Sequence, residues 1–242
     1  MSKLNRILLC GAVVLSLQSP LSFAFDVVIT ESEYRVLSDN CKRFYSVTQI
    51  GRTLGFTYKF SPSEHKDVTI DAERAGGAWH YCAGLVFMSR AVVVGDAAHK
   101  QAIYKKALNE MNFSARKISE EHRLYGEVQL NLAKVYYFLG DISASRKLLQ
   151  QLMHKMPDYV PVKIELSRQF AKEGQLQPAI DILLSVSPTI RDKSADLNYA
   201  LGLYLFKSGQ FEQSYSYAQK AYALKYPLPW LRTQLKKKGY KF

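Results

Sequence analysis

The sequence predicts an all-α fold in which pairs of helices stack one after another. Gly140, Gly174 and Gly209 follow one another at intervals of 34 and 35 residues, and each ends a similar amphipathic segment. A fixed period of this length is typical of repeats that are built from two helices and a turn. The composition agrees, since Tyr and Leu are abundant while only 13 Gly and 8 Pro occur among 242 residues.

The three repeats share an arrangement of large and small side chains. They start at Gly126, Val160 and Ala195, so that the glycine is position 15 of each. Apolar residues fall at positions 7, 11 and 24, and small residues fall at positions 8 and 20, where they let neighbouring helices approach closely. Glycine at position 15 can end the first helix in a left-handed conformation that other residues adopt only at a cost.

This pattern resembles the tetratricopeptide repeat family. The resemblance implies a right-handed solenoid of helical hairpins, with about three clear repeats, a degenerate N-terminal repeat and a cap at each end. One position departs from the family pattern, because Gln129, Lys163 and Asn198 stand at position 4, where a bulky apolar residue is usual. An ordinary helical bundle with coincidental spacing is the alternative.

Residues 1–24 have the pattern of a cleaved signal peptide. Lys3 and Arg6 precede an apolar stretch, and Ser22-Phe23-Ala24 fits a cleavage signal, which predicts a mature start at Phe25. The predicted location is therefore periplasmic or secreted. An uncleaved membrane anchor and lipidation at Cys10 are the alternatives. No later segment is long and apolar enough to suggest a membrane span.

The rest of the chain is expected to form one continuous domain. Residues 25–76 are interpreted as an N-terminal cap helix followed by a polar loop at 57–77, and residues 77–116 as the degenerate repeat. Residues 117–227 contain the clear repeats, and residues 228–242 form a C-terminal capping helix with a basic tail. Thr30 and Glu33 fit a capping box at the start of the N-terminal helix. In the C-terminal helix, Trp230, Leu231 and Leu235 are expected to face the last repeat.

Export would leave two cysteines, Cys41 and Cys82. Because an even pair in an oxidising compartment usually pairs, we predict a disulfide between them. Two buried free thiols are the alternative. The chain has no CxxC or CxxCH string, so neither a thioredoxin-like redox site nor covalent haem is predicted.

The family resemblance places a concave binding surface on the first helix of each repeat. The predicted partner-binding residues are Asn131, Lys134, Tyr137, Phe138, Arg168, Lys172, Tyr199, Leu203, Phe206 and Lys207. Aromatic rings beside cations suit a peptide that carries some acidic groups. The alternative is that several of these rings pack between repeats and leave a merely hydrated groove.

The chain is basic, which offers a second class of partner. Removal of Lys3 and Arg6 with the signal would lower the formal net charge from +12 to about +10. A basic surface attracts anionic polymers and membranes. The alternative is that the positive charges are scattered over the surface and only aid solubility, which would give the same net charge. Nucleic acid is not an expected partner of an exported protein, and no oligomeric state is predicted.

No catalytic residue, metal site or cofactor is predicted. The strings H-E-x-x-H and G-x-S-x-G and the P-loop are missing from the sequence. His80 and Cys82 are two residues apart, which places them on different faces of a helix.

The leading hypothesis is a non-catalytic periplasmic adaptor that holds a partner protein or peptide in its groove, with a role in the assembly of envelope machinery as one expectation. A module that binds an anionic envelope polymer or membrane surface is the second hypothesis, and an enzyme that uses His80 or Cys82 is the third.

Overall fold

A computed structural model describes residues 27–56 and 60–242. The predicted signal peptide at 1–24 and the predicted start at Phe25 lie outside the described residues. Across the described ranges every regular element is an α-helix, which confirms the all-α class. The helices are α1 (Glu31–Val36), α2 (Asp39–Ser46), α3 (Gln49–Thr53), α4 (Pro62–Arg74), α5 (Ala78–Val93), α6 (Ala97–Ala115), α7 (Tyr125–Phe138), α8 (Ile142–Lys155), α9 (Val160–Lys172), α10 (Leu176–Leu184), α11 (Pro188–Arg191), α12 (Ala195–Lys207), α13 (Phe211–Ala223) and α14 (Trp230–Lys237).

Helices that follow one another in the chain pack as pairs. The pairs are α5 with α6, α7 with α8, α9 with α10, and α12 with α13. Successive pairs are also in contact, through α6 and α7, α8 and α9, and α10 and α12. This serial packing is the arrangement expected of an all-α helical-repeat solenoid, because each repeat contacts mainly its neighbours in the chain.

The three turn glycines adopt the conformation that their spacing predicted. Gly140, Gly174 and Gly209 have φ values of 86°, 80° and 81°. At these angles a side chain would crowd the backbone, so glycine ends the first helix of each pair at little cost. The next helix then begins within two residues of each glycine, which brings the two helices of a pair into contact.

Small residues let the paired helices approach closely. The Ser145 hydroxyl in α8 donates a 2.7 Å hydrogen bond to the Ala133 carbonyl in α7. Ser214 in α13 makes the equivalent 2.7 Å bond to Gly202 in α12. Both serines are fully buried, so these bonds satisfy hydroxyl groups that would otherwise lose water without replacement.

The polar residues at position 4 have a structural role in two of the repeats. The Gln129 side chain donates a 3.0 Å hydrogen bond to the Ala115 carbonyl at the end of α6. The Asn198 side chain donates a 2.7 Å hydrogen bond to the Arg191 carbonyl at the end of α11. Both amides are buried, and each satisfies a carbonyl at the end of the preceding helix, where intrahelical partners run out.

The N-terminal region begins as predicted but contains more helix than expected. Thr30 and Glu33 form the capping box of α1. The expectation of a polar loop at 57–77 was wrong, because α4 occupies Pro62–Arg74. Ser61 and Glu64 form a second capping box there, with Pro62 in the first turn. Only two residues of α4 are buried, so its apolar signal in the sequence is weak.

The predicted disulfide is present and joins α2 to α5. Cys41 and Cys82 have Cα atoms 5.5 Å apart, and the bond closes a loop with a sequence separation of 41. Both residues are buried among the side chains that pack α2 against α5. A structural disulfide fits a protein of an oxidising compartment.

The last helix, α14, packs against α12 and α13. Leu231 and Leu235 are fully buried there, in agreement with the sequence prediction. Trp230 is 45% exposed, and its ring touches Phe206 edge-on at a centroid distance of 5.9 Å, so it only partly faces the last repeat. None of the helices in the described ranges is both long and apolar enough to cross a membrane.

Candidate functional site

A groove of about 720 Å³ lies between the N-terminal segment and the first helices of the repeats. Helices α1 and α5 contribute one wall, and α7 and α9 contribute the other. Tyr104 of α6 and Phe138 of α7 also line the groove, and their rings stack at a centroid distance of 5.0 Å. Because the walls come from segments that are far apart in the chain, the groove depends on how the N-terminal segment is held.

One wall is apolar and open to solvent. Val36 and Leu37 come from the end of α1, and Met88 and Val92 come from α5. Val36 is 84% exposed and Val92 is 72% exposed. Exposed apolar side chains gathered at a concave surface are typical of an interaction site, whereas isolated ones are common on any surface.

An ion pair holds this wall in position. Arg90 of α5 binds Glu33 of α1 through two contacts, Nε to Oε1 at 2.6 Å and Nη2 to Oε2 at 2.8 Å. The same guanidinium donates a 2.9 Å hydrogen bond to the Val28 carbonyl. The side-chain hydrogen bond from Arg90 lowers the pKa of Glu33 to about 2, so this carboxylate is ionised at neutral pH.

A chain of polar groups supports the opposite wall. The Tyr81 hydroxyl donates a 2.7 Å hydrogen bond to Glu127 Oε1 and accepts one from Asn131 at 2.8 Å. Asn131 Oδ1 in turn accepts a 3.2 Å bond from Lys134 Nζ. Burial raises the pKa of Tyr81 and lowers that of Lys134. The network therefore places the Lys134 ammonium at the groove in a partly desolvated setting, while Asn131 lies behind it as a buried support.

A second charged pair completes this wall. Arg168 Nε lies 2.9 Å from Glu165 Oε2, and the Arg168 Nη2 group donates to Glu165 Oε1. The Glu165 side chain is 5% exposed and also accepts a 3.0 Å bond from Gln169. Burial opposes the Arg168 charge, but the hydrogen bonds that Arg168 donates to Glu165 leave the pKa of Arg168 above its ordinary value. Paired in this way, the two side chains fix each other's orientation.

Aromatic rings and cations are adjacent at one end of the groove. The Arg168 guanidinium lies 5.2 Å from the ring centre of Tyr137 and 5.7 Å from that of Phe138. Lys172 Nζ lies 5.5 and 5.7 Å from the same two ring centres. Burial, followed by the charge of Arg168, lowers the pKa of Lys172. The interleaving of rings and cations expected from the sequence is therefore present at these four residues.

The predicted site residues separate into two groups in space. Lys134, Phe138 and Arg168 line the groove, with Asn131, Tyr137 and Lys172 next to them. The other predicted residues, Tyr199, Leu203, Phe206 and Lys207, belong to α12 and are not groove-lining residues.

The α12 residues pack towards the C-terminal end instead. Tyr199 is buried and stacks on Tyr226 at a centroid distance of 4.0 Å. Leu203 and Phe206 pack against the buried cluster that contains Leu231. Lys207 is exposed at the end of the helix.

Sequence reasoning missed the apolar wall. Leu85, Met88 and Val92 lie on one face of α5, at spacings of three and four residues, which the helical pattern shows. The pattern does not show that part of this face stays open. The run Ala91–Val94, which places three valines at a helix end, is the available signal for exposed apolar side chains.

Cys82 and His80, the two residues of the enzyme hypothesis, both have partners within the fold. Cys82 is bonded to Cys41, so its sulfur is neither a thiolate nucleophile nor a metal ligand. His80 Nδ1 lies 2.8 Å from Glu110 Oε2, and its ring packs on Phe113. Within residues 27–56 and 60–242, no group of three or more His, Cys, Asp or Glu side chains is placed to hold a metal ion.

Comparison with known proteins adds no relative from which a role could be transferred. The chain matches no protein-family model and no curated protein sequence.

Proposed function

We propose that the protein is a non-catalytic adaptor of the periplasm that holds a segment of a partner protein in the groove between α1, α5, α7 and α9. The observation that carries this proposal is the contrast between the two walls. Val36 and Val92 are largely exposed on one wall, while Lys134 and the Glu165–Arg168 pair are fixed in place on the other. A partner segment with one apolar and one polar face complements both walls.

The energetics favour an occupied groove. Burial of an exposed valine contributes roughly 1.5–3 kcal/mol, so covering Val36, Val92 and their neighbours supplies a useful part of the free energy of binding. The volume of about 720 Å³ lies within the range of sites that enclose a ligand or a short peptide segment. The fixed charges on the other wall need little reordering when a partner binds.

The electrostatics favour an acidic group on the polar face of the partner. Glu33 and Glu165 each already pair with an arginine of their own wall. Among the described residues Lys134 donates to one hydrogen-bond acceptor, Asn131, although an ammonium can donate three bonds. A carboxylate of the partner would offset the desolvation that lowers the pKa of Lys134.

Two features of the chain support the wider setting of the proposal. The 34–35-residue spacing and the paired helices support tetratricopeptide-like repeats, which commonly act as protein-binding scaffolds. The disulfide and the pattern of residues 1–24 support export to an oxidising compartment. We propose that the partner takes part in the assembly of envelope machinery.

Two neighbouring valines provide a matched test. Val92 lines the groove, whereas Val93 is 84% exposed and is not a lining residue. Peptides are selected on the wild-type protein from a random display library. They should bind a Val92→Asp variant at least about tenfold more weakly, since the apolar face of the peptide would then bury a carboxylate. They should bind a Val93→Asp variant with nearly unchanged affinity.

The same pair can be tested in cells. A photo-crosslinking amino acid at position 92 should capture one specific protein, and the same group at position 93 should capture much less of it. The proposal fails if no peptide is selected, or if the two aspartate variants lose affinity equally.

A further inference from the structure

The C-terminal end of the chain has a charge composition unlike the rest. Residues 213–242 contain seven Lys and Arg residues and no Asp or Glu, although the whole chain has 21 acidic residues. Lys220 pairs with Asp192 at 2.7 Å. No ion pair within the described ranges involves the other six. Arg232 and Lys238 contact aromatic rings of the fold, with Lys238 Nζ 4.9 Å from the ring centre of Phe211, but no carboxylate within the described ranges forms an ion pair with any of the six.

Exposed apolar side chains lie among these cations. Leu228 is 54% exposed, Trp230 is 45% exposed and Phe242 is 41% exposed. We call Leu228, Trp230, Phe242 and the basic run Lys236–Lys238 the C-terminal surface. Large exposed apolar groups in a segment that is rich in Lys and Arg and free of Asp and Glu are candidates for an interaction site.

Contacts within the fold hold the rings of this surface in place. Trp230 touches Phe206 at a centroid distance of 5.9 Å, and Phe242 touches Tyr222 at 5.7 Å. The Arg232 guanidinium lies 4.0 Å from the centre of the Tyr222 ring and 5.7 Å from that of Phe242. Because these groups are already ordered, they lose little conformational freedom when a partner covers them.

The packing of α14 explains why this surface points outward. Leu231 and Leu235 are four residues apart and fully buried against α12 and α13. Lys236 and Lys237 are exposed in the last turn of the same helix, and Trp230 is its first residue. An amphipathic helix with leucines inward and lysines outward presents its basic face at the end of the stacked helices.

We propose that the C-terminal surface binds peripherally to the anionic phospholipid surface of a membrane. Tryptophan is enriched at the boundary between lipid and water, and lysine stems can cover apolar area while the ammonium groups reach lipid phosphates. A hydrated anionic polymer would satisfy the cations but would leave Leu228 and Trp230 uncovered, so the apolar groups favour a lipid surface. The surface shares no residue with the lining of the groove, so this proposal does not depend on the proposed function.

The test uses purified exported protein whose N-terminus has been identified by mass spectrometry. Sedimentation with vesicles of equal parts phosphatidylcholine and phosphatidylglycerol is compared with sedimentation with phosphatidylcholine alone. The protein should bind the anionic vesicles, and replacing Lys236, Lys237 and Lys238 by glutamine should weaken this binding roughly a hundredfold. A control with the same loss of charge elsewhere should bind almost as wild type does. The control is Lys66→Gln, Lys105→Gln and Lys147→Gln, all at exposed positions.

A second variant separates a lipid surface from a soluble polyanion. Leu228→Ser with Trp230→Ser should weaken vesicle binding several-fold while leaving binding to dextran sulfate unchanged. The chain has two tryptophans, so in a Trp79→Phe background the fluorescence of Trp230 should shift to shorter wavelength when anionic vesicles are added. Circular dichroism checks that each variant keeps its helical content.

Three results would overturn the proposal. Absence of binding to the anionic vesicles would remove its basis. Equal loss of binding in both charge variants would show a diffuse electrostatic effect instead of a site. Unchanged vesicle binding by the serine variant, together with no shift of Trp230 fluorescence in the Trp79→Phe protein, would assign the surface to a soluble anionic polymer.

Discussion

Arg90 and Glu33 lie 57 residues apart in sequence and form a two-contact ion pair that fastens α1 to α5. Glu33 is also the third helical residue of α1, where its side chain accepts a 2.7 Å hydrogen bond from the Thr30 backbone N–H. One carboxylate thus caps its own helix and attaches that helix to the repeats. The apolar wall of the groove depends on this attachment.

Replacing Glu33 by glutamine should therefore weaken the N-terminal segment. The side chain is partly open to solvent, so screening limits the loss to about 1 kcal/mol in the free energy of unfolding. Urea denaturation at neutral pH measures it. Glu31→Gln is the matched control, because Glu31 forms only an exposed pair with Arg35 and its loss should be about half as large or less.

The same pair predicts a dependence of stability on pH. Because the pKa of Glu33 is lowered from 4.5 to about 2, its contribution is complete above about pH 4.5 and is lost as the pH falls through about 2. The difference in unfolding free energy between wild type and Glu33→Gln should shrink over that interval. A difference that stays constant down to pH 2 would contradict the assigned role.

The disulfide should contribute strongly to stability. Breaking the link between Cys41 and Cys82 frees a loop with a sequence separation of 41, which corresponds to about 4 kcal/mol in the chain-entropy model. The double variant Cys41→Ser, Cys82→Ser should unfold at clearly lower urea concentration than wild type. Reductant should have no effect on the variant, which controls for other actions of the reagent.

Gly202 should not tolerate a side chain. A Cβ atom there would lie 2.8 Å from Leu231 Cδ2 and 3.2 Å from the Ser214 carbonyl oxygen. Since Leu231 is fully buried, Gly202→Ala should displace α14 and cost about 1–3 kcal/mol. Gly95→Ala is the control, because a Cβ at Gly95 meets nothing within 4 Å. Equal thermal stability of the two variants would show that α14 adjusts freely.

The buried pair of Glu165 and Arg168 predicts an asymmetry between two substitutions. Arg168→Met leaves a carboxylate that is 5% exposed without its cation and should cost about 3 kcal/mol. Glu165→Gln leaves the more exposed arginine and keeps an acceptor for Gln169, so it should cost less. Chemical denaturation of both variants at neutral pH gives the comparison, and a larger loss for Glu165→Gln would reverse this view of the pair.

Local signals in the sequence determined the helical pairs. The spacing of Gly140, Gly174 and Gly209 located three turns, because left-handed backbone is a property of single residues. The capping box at Thr30 could also be predicted, because its two partners, Thr30 and Glu33, are only three residues apart in the sequence. Helix α4, which begins at the second capping box, was not predicted, because it buries only Val68 and Ala72 and so has a weak apolar pattern. The Cys41–Cys82 pairing followed from there being two cysteines in the predicted mature chain.

Only the tertiary structure decided which side chains line the groove. Val36 and Val92 share a wall because the disulfide fastens α2 to α5 and the Arg90–Glu33 pair holds the preceding helix, α1, beside α5. Tyr199 leaves the open surface because Tyr226 covers it from the end of the chain. Periodicity shows which residues share a face of one helix, but the exposure of that face depends on segments that are remote in sequence. The repeats could therefore be predicted from the sequence, whereas the groove required the packing of the N-terminal segment against the repeats.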